Sequence, residues 1–444
     1  MSKKHFGTDG VRGRVGADPM TVDFAIRLAS AAAQVLVPEG GTVVIGKDTR
    51  LSGYMFEAAL EAGFVAAGAD VLLLGPLPTP GIAVLTQEFE ADLGVVISAS
   101  HNPYEDNGIK FFDRSGSKLN DEIERAIESQ MQGPPITRDS THLGKAKRID
   151  TARIRYQEFC ESTFPEGLGL DGLKVVFDGA NGAGYKVGPR TLANLGAEVI
   201  PIGCSPNGRN INQGCGSTSP ELLSLTVPAV RADVGVALDG DGDRLVMVDE
   251  DGNLIDGDQL LYILARSRQS TGELKGPVVG TVMSNLGLEH ALKAESIEFL
   301  RAKVGDRYVL EMLRETGGVI GGETSGHMIV LDRTTTGDGL VSALQILAVM
   351  KQTGKSLSEL AAGMPRYPQT MVNVRTEKKL DPDASTPIQE AVGAAENELR
   401  DSGRVVLRAS GTEPVIRVMV EGEDEAQVTA LAQRLADVVA KAAA

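Results

Sequence analysis

The chain alternates between short solid apolar runs and stretches whose apolar residues recur at helical spacing, and glycine-rich polar loops separate them. Thr42–Gly46, Val71–Gly75 and Leu93–Ile97 are such runs, the pattern of strands buried on both faces of a sheet. Residues 21–36 have the helical period, and a second helix is predicted from Ser52, read as its cap, to about Gly68. Pro76, Pro78 and Pro80 stop the chain after the second strand. Met131 to Asp150 carries Gly-Pro-Pro and mixed charge and reads as a boundary or linker. The pattern restarts with strands at Leu173–Phe177 and Val234–Leu238, and Leu245–Val248 and Leu254–Ile255 flank a hairpin turn at Glu250–Asn253. A third cycle runs from Val278–Met283 through Val319–Gly321 to a helix over Gly339–Met350. Beyond Pro365 come strands at Val372–Arg375, Val405–Arg408 and Val415–Glu421, and helices at Pro387–Asp401 and from Glu425. At 444 residues the chain exceeds one ordinary core. The expected architecture is three related mixed α/β domains (1–150, 151–252, 253–365) plus a C-terminal α+β domain (366–444).

Polar loops leave the C-terminal ends of two predicted strands, the edge where α/β sheets place ligands. After Leu93–Ile97 comes Ser98-Ala99-Ser100-His101-Asn102-Pro103, which sets the Ser100 hydroxyl beside a proton carrier, His101. After Val234–Leu238 comes Asp239-Gly240-Asp241-Gly242-Asp243-Arg244. Carboxylates at alternate positions can converge on one hard cation, which takes oxygen ligands and neutralises phosphate. Arg244 adds a charge that suits phosphate. Asp239, Asp241, Asp243 and Glu250 also match part of an EF-hand, but Arg244 stands where that loop needs glycine and a strand follows in place of a helix. A hydroxyl and a hard-cation site point to phosphoryl transfer onto serine, provided the two loops meet in space. Lys110, within Asn107–Phe112, can return to the same site. A serine hydrolase reading lacks a Gly-x-Ser-x-Gly elbow at Ser100.

Three further loops offer chemistry or a tight turn. Gly322–His327 carries Glu323 and Ser325, suited to sugar hydroxyls, and His327, suited to a proton. Arg408-Ala409-Ser410-Gly411-Thr412-Glu413-Pro414 with Arg417 has the make-up of a phosphate cradle: glycine-exposed backbone N–H groups, two hydroxyls and two guanidinium groups. Gly7–Gly13 sets Arg12 among small residues. Lys47 and Arg50 share the ambiguity of any loop charge, which is usually solvated.

Composition narrows the class. A net charge of −16 argues against a nucleic-acid binder, so an anionic substrate requires a local basic pocket. Aromatic residues total 4% and tryptophan is absent, which disfavours a stacking platform. No apolar run is long enough to cross a bilayer, so no membrane partner is expected. Cys160, Cys204 and Cys215 lack metal spacing, and Met-Ser-Lys-Lys-His runs straight into glycines and charges without a signal-peptide pattern. A reducing cytoplasm is the expected location.

In chain order, Phe6–Gly13, Ser98–Pro103, Asp239–Arg244, Gly322–His327 and Arg408–Pro414 resemble the signatures of the α-D-phosphohexomutase superfamily. Asn107–Phe112, Val304–Tyr308 and Thr334–Leu340 resemble its amino-sugar-phosphate subgroup. Its phosphomannomutase/phosphoglucomutase enzymes, the alternative, often carry a histidine near Gly305-Asp306-Arg307. Thr324 and Ala409 depart from the pattern, standing where the subgroup usually has glutamine and many relatives have proline. The resemblance implies four domains around a central active-site cleft. It implies interconversion of glucosamine 6-phosphate and glucosamine 1-phosphate through a phosphoserine and a 1,6-bisphosphate, for UDP-N-acetylglucosamine synthesis. Ser100 would be the phosphoserine, and Asp239, Asp241 and Asp243 would bind Mg²⁺ with a phosphoserine oxygen. Glu323 and Ser325 would read sugar hydroxyls, with Arg307 a further substrate contact. Arg408, Ser410, Gly411, Thr412 and Arg417 would hold the non-reacting phosphate. Lys110 and His327 would be the acid/base candidates, with His101 beside the serine, and Arg12 and Arg244 would stabilise the transferring group. The resemblance also implies glucosamine or glucose 1,6-bisphosphate as activator, a homodimer, and a hinge near Tyr367–Met371.

Overall fold

In the computed structural model, which describes residues 5–7, 9–376, 381–409 and 414–443, four sheets succeed one another along the chain. In the first, Leu93–Ile97, Gly41–Lys47, Ala69–Pro76 and Ala146–Arg148 lie parallel in that order. Asp106–Asp113 and then Val11–Arg14 extend it antiparallel beyond Leu93–Ile97. The solid apolar runs follow from burial on both faces. Val43, Ile45 and Val95 pack on Phe24, Leu28, Phe56 and Leu60. Val44, Val96 and Phe112 face the other way, onto Ile82 and Leu85.

That second face belongs to a core that also holds Phe177 and Leu238 of the second sheet, and Leu264 and Leu344 of the helices Gly257–Thr271 and Gly339–Thr353. The second sheet runs Leu254–Ile255, Leu245–Val248, Val234–Leu238, Lys174–Asp178, Glu198–Ile202. The third runs Phe299–Ala302, Val278–Thr281, Ile320–Gly322, Met328–Val330. The C-terminal sheet, Gln369–Arg375, Val415–Gly422, Gly403–Ala409, is antiparallel and has its own core of Ile388, Val418, Leu431 and Leu435. Three domains thus share apolar packing, while the fourth is a separate body. Among the described residues no helix is long and apolar enough to cross a membrane.

Two local expectations are corrected. Ser52 begins the helix Ser52–Ala66 instead of capping it, because Leu51 is already helical (φ −58°, ψ −40°). The Ser52 hydroxyl accepts from Asn107 Nδ2 at 2.8 Å. The stretch from Met131 to Asp150 is more than a linker, since Ala146–Arg148 is the edge strand beside Ala69–Pro76. All three of its residues are exposed, so no burial pattern marked it.

One buried carboxyl gives a stability prediction. Asp258, in the first turn of Gly257–Thr271, accepts through Oδ2 from Asn285 N at 2.8 Å and Thr324 Oγ1 at 2.7 Å, while Oδ1 has no partner. Burial, and then the charge of Asp256, raises its pKa from 3.8 to about 7. A group with a raised folded pKa stabilises fully below its unfolded pKa, and that contribution is lost as pH rises through the folded one. Asp258→Asn keeps an acceptor and carries no charge. It should melt above the parent at about pH 8, with the difference shrinking toward about pH 5, as thermal melts across that range would show.

Candidate active site

Strand ends of the first two sheets bring the serine and aspartate loops together. Ser100 is buried in the left-handed region (φ 53°), and its Oγ donates to Asp239 Oδ2 at 2.6 Å. The same oxygen lies 3.3 Å from His101 Nδ1. Asp239, Asp241 and Asp243 are all buried, and one oxygen from each falls within 4.8 Å of the others. Such crowding is costly. Burial, then Asp243 and Asp241, pushes the Asp239 carboxyl well above the usual range. Against its own burial, Lys110 and then His327 hold Asp243 far below it. Asp241 Oδ1 and Asp243 Oδ1 are buried without hydrogen-bond partners. An all-oxygen donor set with orphaned carboxylate oxygens fits a hard divalent cation such as Mg²⁺. Glu250, the last residue of the partial EF-hand match, instead accepts from Ser358 Oγ at 2.6 Å and lies outside the aspartate cluster.

A ring of alternating charges flanks these aspartates. Lys110, from Asp106–Asp113, sets Nζ 2.8 Å from both Asp241 Oδ2 and Asp9 Oδ2, and 3.6 Å from Asp243. Lys118 bridges Asp9 and Asp306. Asp306 lies 3.5 Å from His327 Nε2, and His327 Nδ1 lies 3.7 Å from Asp243, which closes the ring across three domains. Burial works against the Lys110 ammonium, but Asp241 and Asp9 outweigh it and keep the group charged. Burial likewise lowers His327, yet Asp243 and Asp306 raise it to about 9. His101 goes the other way, to about 4, through burial and the charges of Arg244 and Arg12. At neutral pH one histidine therefore carries a proton to give and the other can accept one.

Arg12 and Arg244 line the same cleft of about 550 Å³, and each has a buried Nε without a hydrogen-bond partner. Glu323 and Ser325 line it too, Glu323 Oε1 accepting from Gly305 N at 3.0 Å. They also border an adjoining cavity of about 240 Å³, walled across from them by Arg408 and Arg417. These two arginines are direct cross-strand partners on Gly403–Ala409 and Val415–Gly422. Like charges opposite each other are unfavourable without an anion. Burial and then Arg417 accordingly depress Arg408. Ser410, Gly411 and Thr412 lie outside the described residues. Arg307 is not in the Ser100 cleft. It pairs with Asp121, Glu124 (3.2 Å) and the Leu119 carbonyl (3.0 Å), clasping the third domain to the first.

The sequence assigned no role to Asp9, Lys118 or Asp306. It also left Lys47 and Arg50 as loop charges, and both are buried. Their signal was position: Lys47 ends the strand Gly41–Lys47, which pairs with Leu93–Ile97, and Arg50 lies in the loop that follows, so that loop and the Ser100 loop share one sheet edge.

Comparison with known proteins places this arrangement. Family models for phosphoglucomutase/phosphomannomutase match in succession: α/β/α domain I at residues 3–135, domain II at 156–252, domain III at 256–367 and the C-terminal domain at 371–438. The chain belongs to the phosphoglucomutase/phosphomannomutase family. Within related proteins, it is 57% identical over 443 residues to the phosphoglucosamine mutase of Aeromonas hydrophila, covering 100% of both chains. It is also 57% identical to that of Thioalkalivibrio sulfidiphilus, over 99% of this chain and 98% of the relative. A crystal structure of a family member from Burkholderia thailandensis superposes with a TM-score of 0.81 at 25% identity, covering 98% of this chain and 97% of that one. The Aspergillus fumigatus N-acetylphosphoglucosamine mutase, solved with GlcNAc-6P and magnesium, shares the fold with a TM-score of 0.70 at 17% identity, over 100% of this chain and 96% of that one. Family and site agree on the class of chemistry, movement of a phosphoryl group within a sugar phosphate.

Proposed function

We propose that this protein is a phosphoglucosamine mutase, interconverting glucosamine 6-phosphate and glucosamine 1-phosphate through phosphoserine at Ser100 and a 1,6-bisphosphate. One observation carries the reading: the cleft has a serine, carboxylate and arginine site at one end, an arginine pair at the other and a polar middle. Ser100, the aspartate triad, Arg12 and Arg244 form one end, and the arginine pair Arg408/Arg417 forms the other. Glu323 and Ser325 stand between them. A sugar with a phosphate at each end fits this layout, one phosphate at the arginine pair and the other at the serine, where a divalent cation would offset the three carboxylates. The amino-sugar assignment is supported by the 57% identity to phosphoglucosamine mutases over the whole chain.

Asp239, Asp241 and Asp243 would hold Mg²⁺, which when bound neutralises the phosphoryl oxygens. Arg12 and Arg244 orient the transferring group, and phosphoryl transfer needs this alignment and charge more than covalent help. As the sugar hydroxyl oxygen bonds to phosphorus, the bond from Ser100 Oγ breaks, and the sugar's proton passes to Oγ by way of the His101 imidazole. His101, neutral and beside Oγ, is placed to move a proton at the serine. His327 and Lys110 are held as acids. Arg408 and Arg417, with Ser410, Gly411 and Thr412, hold the idle phosphate at either end of the sugar. The bisphosphate must turn round between half-reactions, and a C-terminal domain with its own core can open to let it. Tyr367–Met371 is the hinge in this reading. Asn285 in the third domain holds Tyr367 by its backbone at 2.9 and 3.0 Å, which fixes one side of the pivot. The same reading includes activation by a trace of glucosamine or glucose 1,6-bisphosphate, a homodimer, and a cytoplasmic enzyme with free cysteines.

Incubation with glucose 1,6-bisphosphate should add one phosphate to Ser100, read by peptide mass spectrometry. A folded protein that gains none is better described as a phosphosugar-binding protein. Arg408→Ala should raise KM roughly 10- to 100-fold, since a hydrogen bond to a charged group contributes about 1.5–3 kcal/mol. Steady-state kinetics check this, and an unchanged KM would remove Arg408 from the phosphate site.

A further inference from the structure

Building on the assignment of Ser100 as phosphoryl carrier, we propose that Arg50 and Asn212 are positioning residues. From two different domains they grip the carbonyls of the serine loop and aim the Ser100 hydroxyl at Asp239.

Arg50 is fully buried. Its Nη2 donates to Ser100 O and to Asn102 O, each at 2.9 Å, and its Nη1 donates to Pro103 O. Its Nε donates to Asp48 Oδ2 at 2.8 Å, so the guanidinium is itself held in place. Asp48 also accepts from Ser98 Oγ, and Ser98 Oγ accepts from Ser100 N at 3.0 Å. Asn212 reaches in from the second domain and its Nδ2 donates to the same two carbonyls, Ser100 O at 2.9 Å and Asn102 O at 3.1 Å. The nitrogen, carbonyl and hydroxyl of Ser100 thus each have a fixed partner.

A planar fork with five N–H groups suits convergent carbonyls in a way that a lysine does not. A buried arginine needs only its carboxylate to be satisfied as an ion. This one directs three bonds at three carbonyls of a single loop. The loop needs such restraint, because Ser100 sits at φ 53°, where a residue with a side chain stays only if its surroundings hold it. The metal loop is registered against the same point. A Cβ on Gly240 would stand 2.6 Å from Ser100 O and 2.7 Å from Asn212 Nδ2. The grip therefore fixes the serine relative to both domains that supply the phosphoryl site.

Two variants test this. Asn212→Gly removes the amide but tolerates the left-handed backbone that Asn212 adopts (φ 58°). Arg50→Lys keeps a cation beside Asp48 and loses the fork. For each, the melting midpoint, kcat and KM, and the ³¹P NMR resonance of the phosphoserine form are measured after loading with glucose 1,6-bisphosphate. Misplacement of about 1 Å costs on the order of 100-fold in rate, so kcat should fall roughly 10- to 100-fold with KM within about threefold. The resonance should broaden or split while Asn212→Gly still melts cooperatively near the parent. Should Arg50→Lys fail to fold, Asn212→Gly alone decides. A folded Asn212→Gly protein with kcat within about twofold of the parent and an unchanged resonance overturns the proposal. So does a raised KM at constant kcat, which would mark a substrate contact. If the parent itself shows no phosphoserine resonance, it is the assignment of Ser100 that fails, and the positioning role falls with it.

Discussion

Ser100→Ala should melt within a few degrees of the parent and show no measurable mutase turnover. The side chain lost is one hydroxyl, and its hydrogen bond to Asp239 is the main contact forfeited. Leaving a buried acceptor unpaired costs about 1–3 kcal/mol, which a large shared core can bear. The chemistry has no such reserve. The nearest other serine, Ser98, is fully buried and its Oγ is tied to Asp48, so it cannot take over as phosphoryl carrier. Loss of the nucleophile should cost roughly 10⁴-fold or more. A coupled assay with glucosamine 6-phosphate, together with mass spectrometry of the loaded protein, checks both halves. Turnover within about tenfold of the parent would place the carrier elsewhere.

Asp241→Ala should lose at least about 100-fold in kcat and its response to Mg²⁺. Asp241 Oδ2 accepts from Thr79 Oγ1 at 2.7 Å and from Lys110 Nζ at 2.8 Å, while Oδ1 is free to bind a cation. Its removal leaves two carboxylates for the ion and leaves Lys110 leaning on Asp9 and Asp243. Both changes weaken the field that must meet the phosphoryl group. Titration of activity with Mg²⁺ after chelation reads the effect. The parent should recover fully and the variant should not, at any accessible concentration. Parent activity that persists in chelator would contradict the metal role of the triad.

Much of this site was legible because its chemistry sits where solid apolar runs stop. Leu93–Ile97 and Val234–Leu238 are buried along their whole length, and each hands directly to a polar loop at the ligand edge of its sheet. What stayed hidden depends on long-range pairing. Arg50 looks like any loop arginine until the Ser100 loop is laid over it. Lys118 and Asp306 acquire meaning only when they meet each other and Asp9. Arg307 shows how finely such placement turns. It follows Asp306 on the helix Asp306–Thr316, and successive helical residues point about 100° apart. Asp306 therefore faces the cleft while Arg307 faces the first domain.

The central claim is tested most directly by one assay on the purified protein, with Mg²⁺ and a trace of sugar 1,6-bisphosphate, comparing glucosamine 6-phosphate with glucose 6-phosphate and mannose 6-phosphate. The predicted result is the highest kcat/KM for glucosamine 6-phosphate, and none of that activity in Ser100→Ala. A preference for glucose or mannose phosphate would contradict the amino-sugar assignment. Conversion of none of the three by well-folded protein would contradict the mutase itself.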